Sequence, residues 1–423
     1  MRISTLLRTV LCASLFCCMT MAQAKDFTVT YEPNVMAVYA VNTTEGIAKL
    51  KDFFDGTKKV KKFEVPRTIT YKSGSKTYKL TVTKIGDNAF GGAECSTVIL
   101  PNTIEEIGDL AFCGVKNVNV PSKVKIIGEQ AYKGVTFESV KIPATCSRID
   151  HFAFTETKIG SLTIAGGDTP LSIGQGAFME SNVAAVIIPA RLKMIENRAF
   201  ANCPKLQYIT FEGPVSVIPF QCFTNCSALK YVSMVNGTSE IENHAFAGCS
   251  SLGDFPWSAS LRTIGWNAFA DCGLLSANFF EGLQTIGDGA FRGNAQLKTI
   301  SFPSTLRAIG NECFYGCEAL EEVNSYAAVP PQVATPSFPL CAPVVPIIVP
   351  VNSVAAYKAA DGWKRFDYRY YASSIGEVES DIAPADAGVQ WYDLQGHPVD
   401  ADRPGTGVYI RVSGSTVEKV VLK

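Results

Sequence analysis

One six-residue pattern recurs eleven times in the middle of the chain. It consists of Ile, usually Gly or Glu, two variable residues, usually Ala, and an aromatic residue, and successive isoleucines are 20 to 24 residues apart. So regular a period indicates one structural unit repeated in tandem. We count positions within a repeat from its isoleucine as position 1. The copies begin at Ile85, Ile107, Ile127, Ile149, Ile173, Ile195, Ile218, Ile241, Ile264, Ile286 and Ile309.

Each copy continues into a second segment with alternating apolar residues, as in Leu297, Ile300 and Phe302, followed by Pro303. This alternation is typical of a short strand with one buried face, and the proline ends it. We therefore expect a coil of one strand, a turn, and a short helical or irregular segment that carries the Ala-aromatic pair. A single coil cannot bury its apolar residues, but stacked coils can. At about 4.8 Å per coil, eleven coils span on the order of 50 Å.

These residues resemble the BspA-like leucine-rich repeats, also described from Treponema, whose unit is similar to IGxxAFxxCxxLxxIxLPxxLxxIG. The resemblance covers residues 85–325. It implies an α/β solenoid of about eleven coils, with a parallel sheet on one face. Three departures predict local irregularity: Pro219 replaces the usual Gly, Pro256 and Trp257 interrupt one strand, and 157–168 lengthen one repeat.

The flanks of the array are predicted to close its ends, since a solenoid exposes an apolar coil face at each end. Residues 25–84 are predicted to form a β-rich N-terminal cap. Residues 326–371 are predicted to form a C-terminal cap with a strand near Ile347, a short helix from Ser353 to Lys358, and Trp363 in the core.

The last 52 residues divide into two parts. Residues 372–388 are small, acidic and without apolar periodicity, which predicts a linker. Residues 389–423 are predicted to form three or four short strands. They resemble the C-terminal sorting domains of the type IX secretion system, although His397 stands where that pattern usually has Arg. The resemblance implies export through the outer membrane and attachment there after removal of the tail.

The N-terminus is typical of a cleaved signal peptide covering residues 1–24. Arg2 and Arg8 precede an apolar run from Val10 to Met19, and Ala22-Gln23-Ala24 matches the small-x-small cleavage pattern. This predicts a protein that is secreted or located on the outer surface of a Gram-negative bacterium. The alternatives are a membrane anchor, for which the run is about half the roughly 20 residues required, and lipidation at Cys17 or Cys18.

Composition excludes two classes of protein. Lys and Arg total 38 against 39 Asp and Glu, and the basic residues cluster only at Lys58, Lys59, Lys61 and Lys62, so a nucleic-acid footprint is absent. An apolar content of 47% is too high for a disordered chain and sufficient for a continuous core.

Eleven of the 14 cysteines lie beyond residue 24, and this odd number argues against a fully paired disulfide framework. Five of them occupy position 9 of their repeats, where another repeat has Asn294. We expect this column to fill a buried turn and to bond backbone groups. The alternative is a metal site at the CxxxC pairs, but metal sites favour closer CxxC spacing, so no metal or cofactor is predicted. The position-9 cysteines are Cys203, Cys226, Cys249, Cys272 and Cys317.

The residues needed for catalysis are not brought together by the pattern. The three histidines, His151, His244 and His397, lie at unrelated positions, and the GxSxG, HExxH and P-loop motifs are absent. The chain is therefore predicted not to be an enzyme.

Binding is the remaining use of a repeat surface whose outward positions vary. The outward strand slot is mostly small, polar and uncharged, which suits hydrogen bonding to a glycan or an extended peptide. Gln207-Tyr208 and Lys230-Tyr231 occupy matching slots of neighbouring coils and are the candidate binding residues, although the two rings could instead simply pack on each other. The outward slot comprises Asn119, Lys141, Thr163, Ile187, Thr210, Ser233, Asn278, Ser301 and Asn324.

Three functions are compatible with these features of the sequence. The first is a monomeric, adhesion-type protein that binds an extracellular protein, cell surface or glycan, and resemblance to the BspA-like family implies the same. The second is a structural spacer or envelope assembly component without a ligand of its own. The third is a hydrolase of extracellular polymers, which would need a carboxylate pair in a pocket.

Overall fold

The computed structural model describes residues 25–32, 34–56, 60–334, 336–341 and 345–371, together with the backbone of strands at 390–392, 398–399, 407–413 and 416–422. The predicted signal peptide and the predicted linker lie outside the described residues. None of the described helices is long and apolar enough to cross a bilayer.

The first described residues form β-structure that joins directly onto the repeats. The first three strands are antiparallel neighbours, and the third pairs in parallel with the sixth, whose last residues, Lys84 and Ile85, pair with Glu106 and Ile107. The fifth and sixth strands form a hairpin. The six strands are Lys25–Glu32, Val35–Asn42, Ile47–Phe54, Lys62–Glu64, Thr68–Ser73 and Lys76–Ile85.

Each coil contributes a short parallel strand that ends at the position-1 residue, and we call this stack the isoleucine ladder. The isoleucines are buried, and the residue before each of them points outward. After Lys76–Ile85 the strands are Glu106–Ile107, Ile126–Ile127, Arg148–Ile149, Leu171–Ile173, Leu192–Ile195, Val217–Ile218, Glu240–Ile241, Thr263–Ile264, Thr285–Ile286, Ala308–Ile309 and Gln332–Val333.

The predicted strand of each repeat forms a second stack, the second ladder, which is divided into several short parallel sheets. Beginning with Lys62–Glu64, these sheets comprise Thr97–Ile99 and Asn117–Val118; Thr136–Phe137 and Lys158–Ile159; Val140–Ile142 and Leu162–Ile164; Ala185–Ile188, Tyr208–Pro214 and Tyr231–Val235; and finally Ser276–Asn278, Thr299–Phe302, Glu322–Ser325, Pro346–Pro350 and Asp367–Tyr371.

The predicted solenoid is therefore confirmed, and it differs in detail from the expectation of a parallel sheet on one face. Two ladders run along it, because the position-1 strand is too short to show any alternation in the sequence. A twelfth coil begins at Val333, inside the region predicted as the C-terminal cap: it places Phe338 at position 6 and Cys341 at position 9.

The Ala-aromatic segment is a turn rather than a helix because its backbone bonds the next coil. In the coil at Ile127, for example, Gln130 N donates to His151 O (3.0 Å) and Tyr132 N donates to Ala153 O (2.9 Å). This arrangement needs a left-handed residue at position 4, and all eleven predicted repeats have one. The position-4 residues are Asn88, Leu110, Gln130, Phe152, Gly176, Arg198, Gln221, His244, Asn267, Gly289 and Glu312, with φ between 48° and 60°.

The choice of Gly or Glu at position 2 has a backbone explanation. Where position 2 is Gly, as at Gly310, the preceding coil comes so close that an added Cβ would lie 2.4 Å from Asp288 N. The Asp288 carboxylate then accepts the Asn311 N–H (2.8 Å). Where position 2 is Glu, its carboxylate accepts an N–H of the preceding coil instead, as Glu242 does from Phe220 N (2.7 Å). In both arrangements a carboxylate therefore accepts from an amide that would otherwise lack a partner.

The core is a set of columns parallel to the solenoid axis. Twelve position-6 rings stack in one column from Phe90 to Phe338, with centroids of neighbouring rings 5.0–5.8 Å apart. Beside them lie the small position-5 residues, all buried in the eleven predicted repeats. Alternation of large and small columns lets neighbouring coils approach closely enough for the backbone bonds to form.

The predicted irregularities are confirmed at the two prolines. Pro219 has no N–H, so Ile195 O lacks the bond that the corresponding carbonyl receives in neighbouring coils, and the isoleucine ladder divides there. The coil containing Pro256 has no strand in the second ladder, which is divided there. The longest repeat, which begins at Ile149, is held by the repeat that follows it. The buried Arg191 guanidinium of that next repeat donates to Ala165 O (2.7 Å) and also to Cys146 O (2.6 Å).

The C-terminal part contains the described helices, a 3-10 turn at Val351–Ser353 and an α-helix at Val354–Ala359. As predicted, Trp363 is fully buried, and its Nε1 donates to Pro331 O (2.8 Å).

The tail strands form an antiparallel sheet, which agrees with the predicted strand content. They are Gln390–Tyr392, Pro398–Val399, Gly407–Ser413 and Thr416–Leu422. The domain boundaries themselves stay predictions.

Candidate functional site

Two of the predicted binding residues meet on the solenoid surface. Tyr208 and Tyr231 are paired in register on neighbouring strands, and their rings stack with centroids 5.3 Å apart and planes within 7°. Both side chains are nevertheless open to solvent, at 47% and 61% exposure. The rings therefore pack on each other, as one alternative held, and together present an exposed aromatic surface.

The two tyrosines lie on regular, paired strands. Tyr208–Pro214 is the longest strand of the second ladder and pairs on both sides, with Ala185–Ile188 and with Tyr231–Val235. In these two coils position 14 points outward, because Ile209 and Val232, the next residues, point into the core. The tyrosine pair is thus fixed to a rigid surface and not to a mobile loop.

Exposed apolar side chains extend the pair into a patch. Ile187 is 55% exposed and faces Thr210 across the strands, while Val235 is 45% exposed and pairs with Pro214. We call Ile187, Tyr208, Tyr231 and Val235 the tyrosine patch. Of the other two predicted binding residues, Lys230 is exposed and Gln207 is half-buried, each next to its tyrosine.

The predicted outward slot is outward throughout. Six of its nine members are exposed, and Thr210, Ser301 and Asn324 are half-buried. Asn119 serves the fold, because its side-chain amide accepts from Leu100 N (2.7 Å) and donates to Leu100 O (3.0 Å).

The cysteine column has the structural role predicted for it. Each thiol donates to the carbonyl of a position-6 residue one coil back, as Cys226 Sγ does to Phe200 O (3.1 Å) and Cys249 Sγ to Phe223 O (3.2 Å). Asn294 substitutes by donating to Phe269 O (2.7 Å). Burial raises the pKa of Cys226 and of Cys249, so both stay protonated and weakly reactive. All eleven cysteines of the described residues are free thiols.

The described histidines occupy separate surface positions. His151 pairs with Glu196 (3.0 Å), whereas His244 packs edge-on against the Phe220 ring. Across the parts of the chain that the structure covers, no group of three or more His, Cys, Asp or Glu side chains is arranged to hold a metal ion.

One exposed aromatic residue was not predicted as a site. Trp266, at position 3 of its repeat, is 59% exposed, and no apolar neighbour in the sequence distinguishes it. The signal that would have found it is the bulky ring at a position that most other repeats fill with a polar residue.

Comparison with known families agrees with this geometry. A family model described as the BspA type leucine rich repeat region matches six copies, at residues 83–203, 113–230, 152–276 and 262–335, which together cover more than half of the chain. The chain belongs to the BspA-type leucine-rich repeat family. Its repeat fold is suited to protein interaction, since stacked coils present an extended surface over one shared core. A search of curated proteins found no significant match.

Several solved structures are similar to this leucine-rich repeat chain. A leucine-rich repeat protein from Bacteroides ovatus is 18% identical with a TM-score of 0.47, covering 81% of this chain and 99% of its own. The pneumococcal vaccine antigen PcpA is 16% identical with a TM-score of 0.44, covering 82% and 99%. A leucine rich cell surface protein from Faecalibacterium prausnitzii is 23% identical with a TM-score of 0.40, covering 72% and 96%.

Proposed function

We propose that this chain is an extracellular, surface-associated protein that binds a protein partner in an adhesion-type, non-catalytic role, through the tyrosine patch. The observation that carries the proposal is the stacked, solvent-exposed pair of Tyr208 and Tyr231 on regular strands. Tyrosine is enriched at protein interfaces because it combines a large apolar ring with a hydrogen-bonding hydroxyl and loses little conformational entropy on binding.

The surroundings of the pair favour a protein partner over a glycan at this face. Ile187 and Val235 add apolar area on either side, and the polar groups between them are Thr210 and Ser233. A protein interface has the same organisation, with an apolar centre and small polar groups that exclude water around it. Lys230 at the rim would contribute to the rate of association more than to affinity.

The location of the protein belongs to the same proposal. Residues 1–24 are typical of a signal peptide, and 389–423 resemble a type IX sorting tail, so we propose export and attachment at the outer surface. Mass spectrometry of the secreted and cell-surface fractions tests this: the expected N-terminus is Lys25, and a chain that begins at Met1 in the cytoplasm would contradict it.

Binding is tested with an array of extracellular-matrix proteins and glycans probed with the purified chain lacking residues 1–24. We expect binding to a protein spot, with at least a tenfold loss in a Tyr208→Ala and Tyr231→Ala double variant. Tyr315→Ala is the matched control, since this half-buried tyrosine lies under Arg292 far along the chain. Equal affinities of the double variant and the unaltered chain would refute the role of the patch.

A spacer without a ligand is the second candidate, and the array distinguishes it by the absence of any protein signal. A hydrolase of extracellular polymers is the third. It predicts release of fragments from the bound polymer, which chromatography of the incubated array ligands would detect.

A further inference from the structure

The position-3 residues form a row along one edge of the solenoid, next to the isoleucine ladder and apart from the tyrosine patch. In five successive coils the row consists of Phe220, Asn243, Trp266, Asp288 and Asn311. Each member is one coil from the next, and the core rings of these coils have centroids 5.2–5.6 Å apart.

Trp266 is held firmly within this row although its ring is exposed. Its backbone N–H donates to Asn243 Oδ1 (2.8 Å). Its Cδ1 lies 2.8 Å from the point where a Cβ on Gly287 would be, so the indole rests on the backbone of the following coil. The core column of this coil is filled by Phe269, three residues further on. The exposed ring therefore adds little to the packing of its own coil. Because the ring is already held in place, the site would reorganise little when a ligand binds.

Polar groups lie on both sides of the indole. The Asn243 side-chain oxygen accepts from Trp266 N, and Asp288 Oδ1 accepts from Asn311 N (2.8 Å). Among the described residues, the Asn243 amide nitrogen and the second Asp288 oxygen have no hydrogen-bond partner. Thr263 and Thr285 of the isoleucine ladder add outward hydroxyls beside the row.

The charges of this edge restrict the class of ligand. At positions 2 to 4 of the coils that begin at Ile241, Ile264 and Ile286, the formally charged side chains are the carboxylates of Glu242 and Asp288, and the only basic group is His244. A carboxylate pair repels sulfated or carboxylated polymers, so an anionic ligand is disfavoured.

We infer that Trp266 is the platform of a second binding site, which takes a neutral glycan running along the solenoid axis. The apolar face of a pyranose ring would pack on the indole, and its hydroxyls would bond the Asn243 amide and the Asp288 carboxylate. A pyranose residue is about as long as one coil is thick, so neighbouring sugars would meet neighbouring coils. A protein partner fits less well, because the side chains around the indole are polar, unlike those of the tyrosine patch.

The inference is tested by saturation-transfer NMR on the purified chain lacking residues 1–24. The probes are hexasaccharides of β-1,4-linked glucose, mannose and N-acetylglucosamine, with a sulfated heparin hexasaccharide as the anionic comparison. We expect transfer to at least one neutral probe, little to the heparin probe, and a loss of at least tenfold in affinity in Trp266→Ala. Trp266→Phe, which keeps a smaller platform, should lose less, and Asp288→Ala should also weaken binding.

The double variant Tyr208→Ala and Tyr231→Ala serves as the control and should bind the neutral probe normally. Far-UV circular dichroism and an unchanged urea midpoint establish that the Trp266 variants fold. No transfer to any neutral probe, preference for the heparin probe, or undiminished transfer in folded Trp266→Ala would each overturn the inference. None of these results would affect the tyrosine patch.

Discussion

The left-handed column at position 4 permits a prediction that runs against the usual effect of glycine. Gln130 has φ 52°, and its side chain makes one long hydrogen bond, to Glu129 (3.3 Å) at the surface. A residue with a Cβ in this conformation costs about 1–2 kcal/mol. Glycine removes that cost but loses about 0.5–1 kcal/mol of extra backbone entropy. We therefore expect Gln130→Gly to stabilise the fold by about 0.5–1 kcal/mol.

Gln175 provides a matched control, because it lies at position 3 of a repeat two coils further on and is also half-buried, but its φ is not positive. At Gln175 no left-handed strain is relieved, so glycine brings only its loss of backbone entropy. Gln175→Gly should therefore destabilise the fold by about 0.5–1 kcal/mol. Urea denaturation followed by circular dichroism measures both, with unchanged slopes showing that the unfolding transition is the same. Equal destabilisation by the two substitutions would refute the reasoning.

Three further predictions concern the core and the coil spacing. Phe223→Ala removes a fully buried ring stacked between Phe200 and Phe246 and should cost about 3–5 kcal/mol in urea denaturation, whereas Phe280→Ala, at 42% exposure, should cost far less. Gly310→Ala places a Cβ 2.4 Å from Asp288 N and should destabilise by about 1–3 kcal/mol, while Gly253→Ala, with no neighbour closer than 3.9 Å, should not lower the urea midpoint. Burial raises the pKa of Cys146 from 9.0 to about 11; the folded thiol holds its proton more tightly, so this contribution is complete below pH 9 and is lost as the pH rises towards 11. Urea midpoints at pH 7.5 and 10 should therefore fall less in Cys146→Ala than in the unaltered chain, and an identical fall would contradict the assignment.

The sequence predicted the columns better than it predicted the backbone between them. Counting from each isoleucine placed Cys226, Cys249 and Asn294 in one buried column, and the structure has them bonding successive coils. The same count put Tyr208 opposite Tyr231, because their coils have equal offsets. Register of this kind follows from counting positions within each repeat.

The isoleucine ladder was missed for a physical reason. Its strands are mostly two residues long, so there is no alternation to read, and their bonds run to the next coil instead of to a sequence neighbour. The left-handed turn was hidden similarly: position 4 holds Asn and Gly, which favour it, but also Leu110 and Phe152, which do not. Bonding between coils overrides local propensity at those positions.

The two proposed sites extend the same logic from structure to function. In a stacked array, a residue whose side chain is needed by the fold recurs at its position in coil after coil, as the position-6 rings do. A large aromatic residue that stands exposed where most other coils have small or polar side chains is not required by the stack. Tyr208, Tyr231 and Trp266 are such residues, and all three rest on backbone that is bonded on both sides. The repeat thus fixes where a ligand group can be held rigidly, and the departures from the repeat mark where we expect ligands to bind.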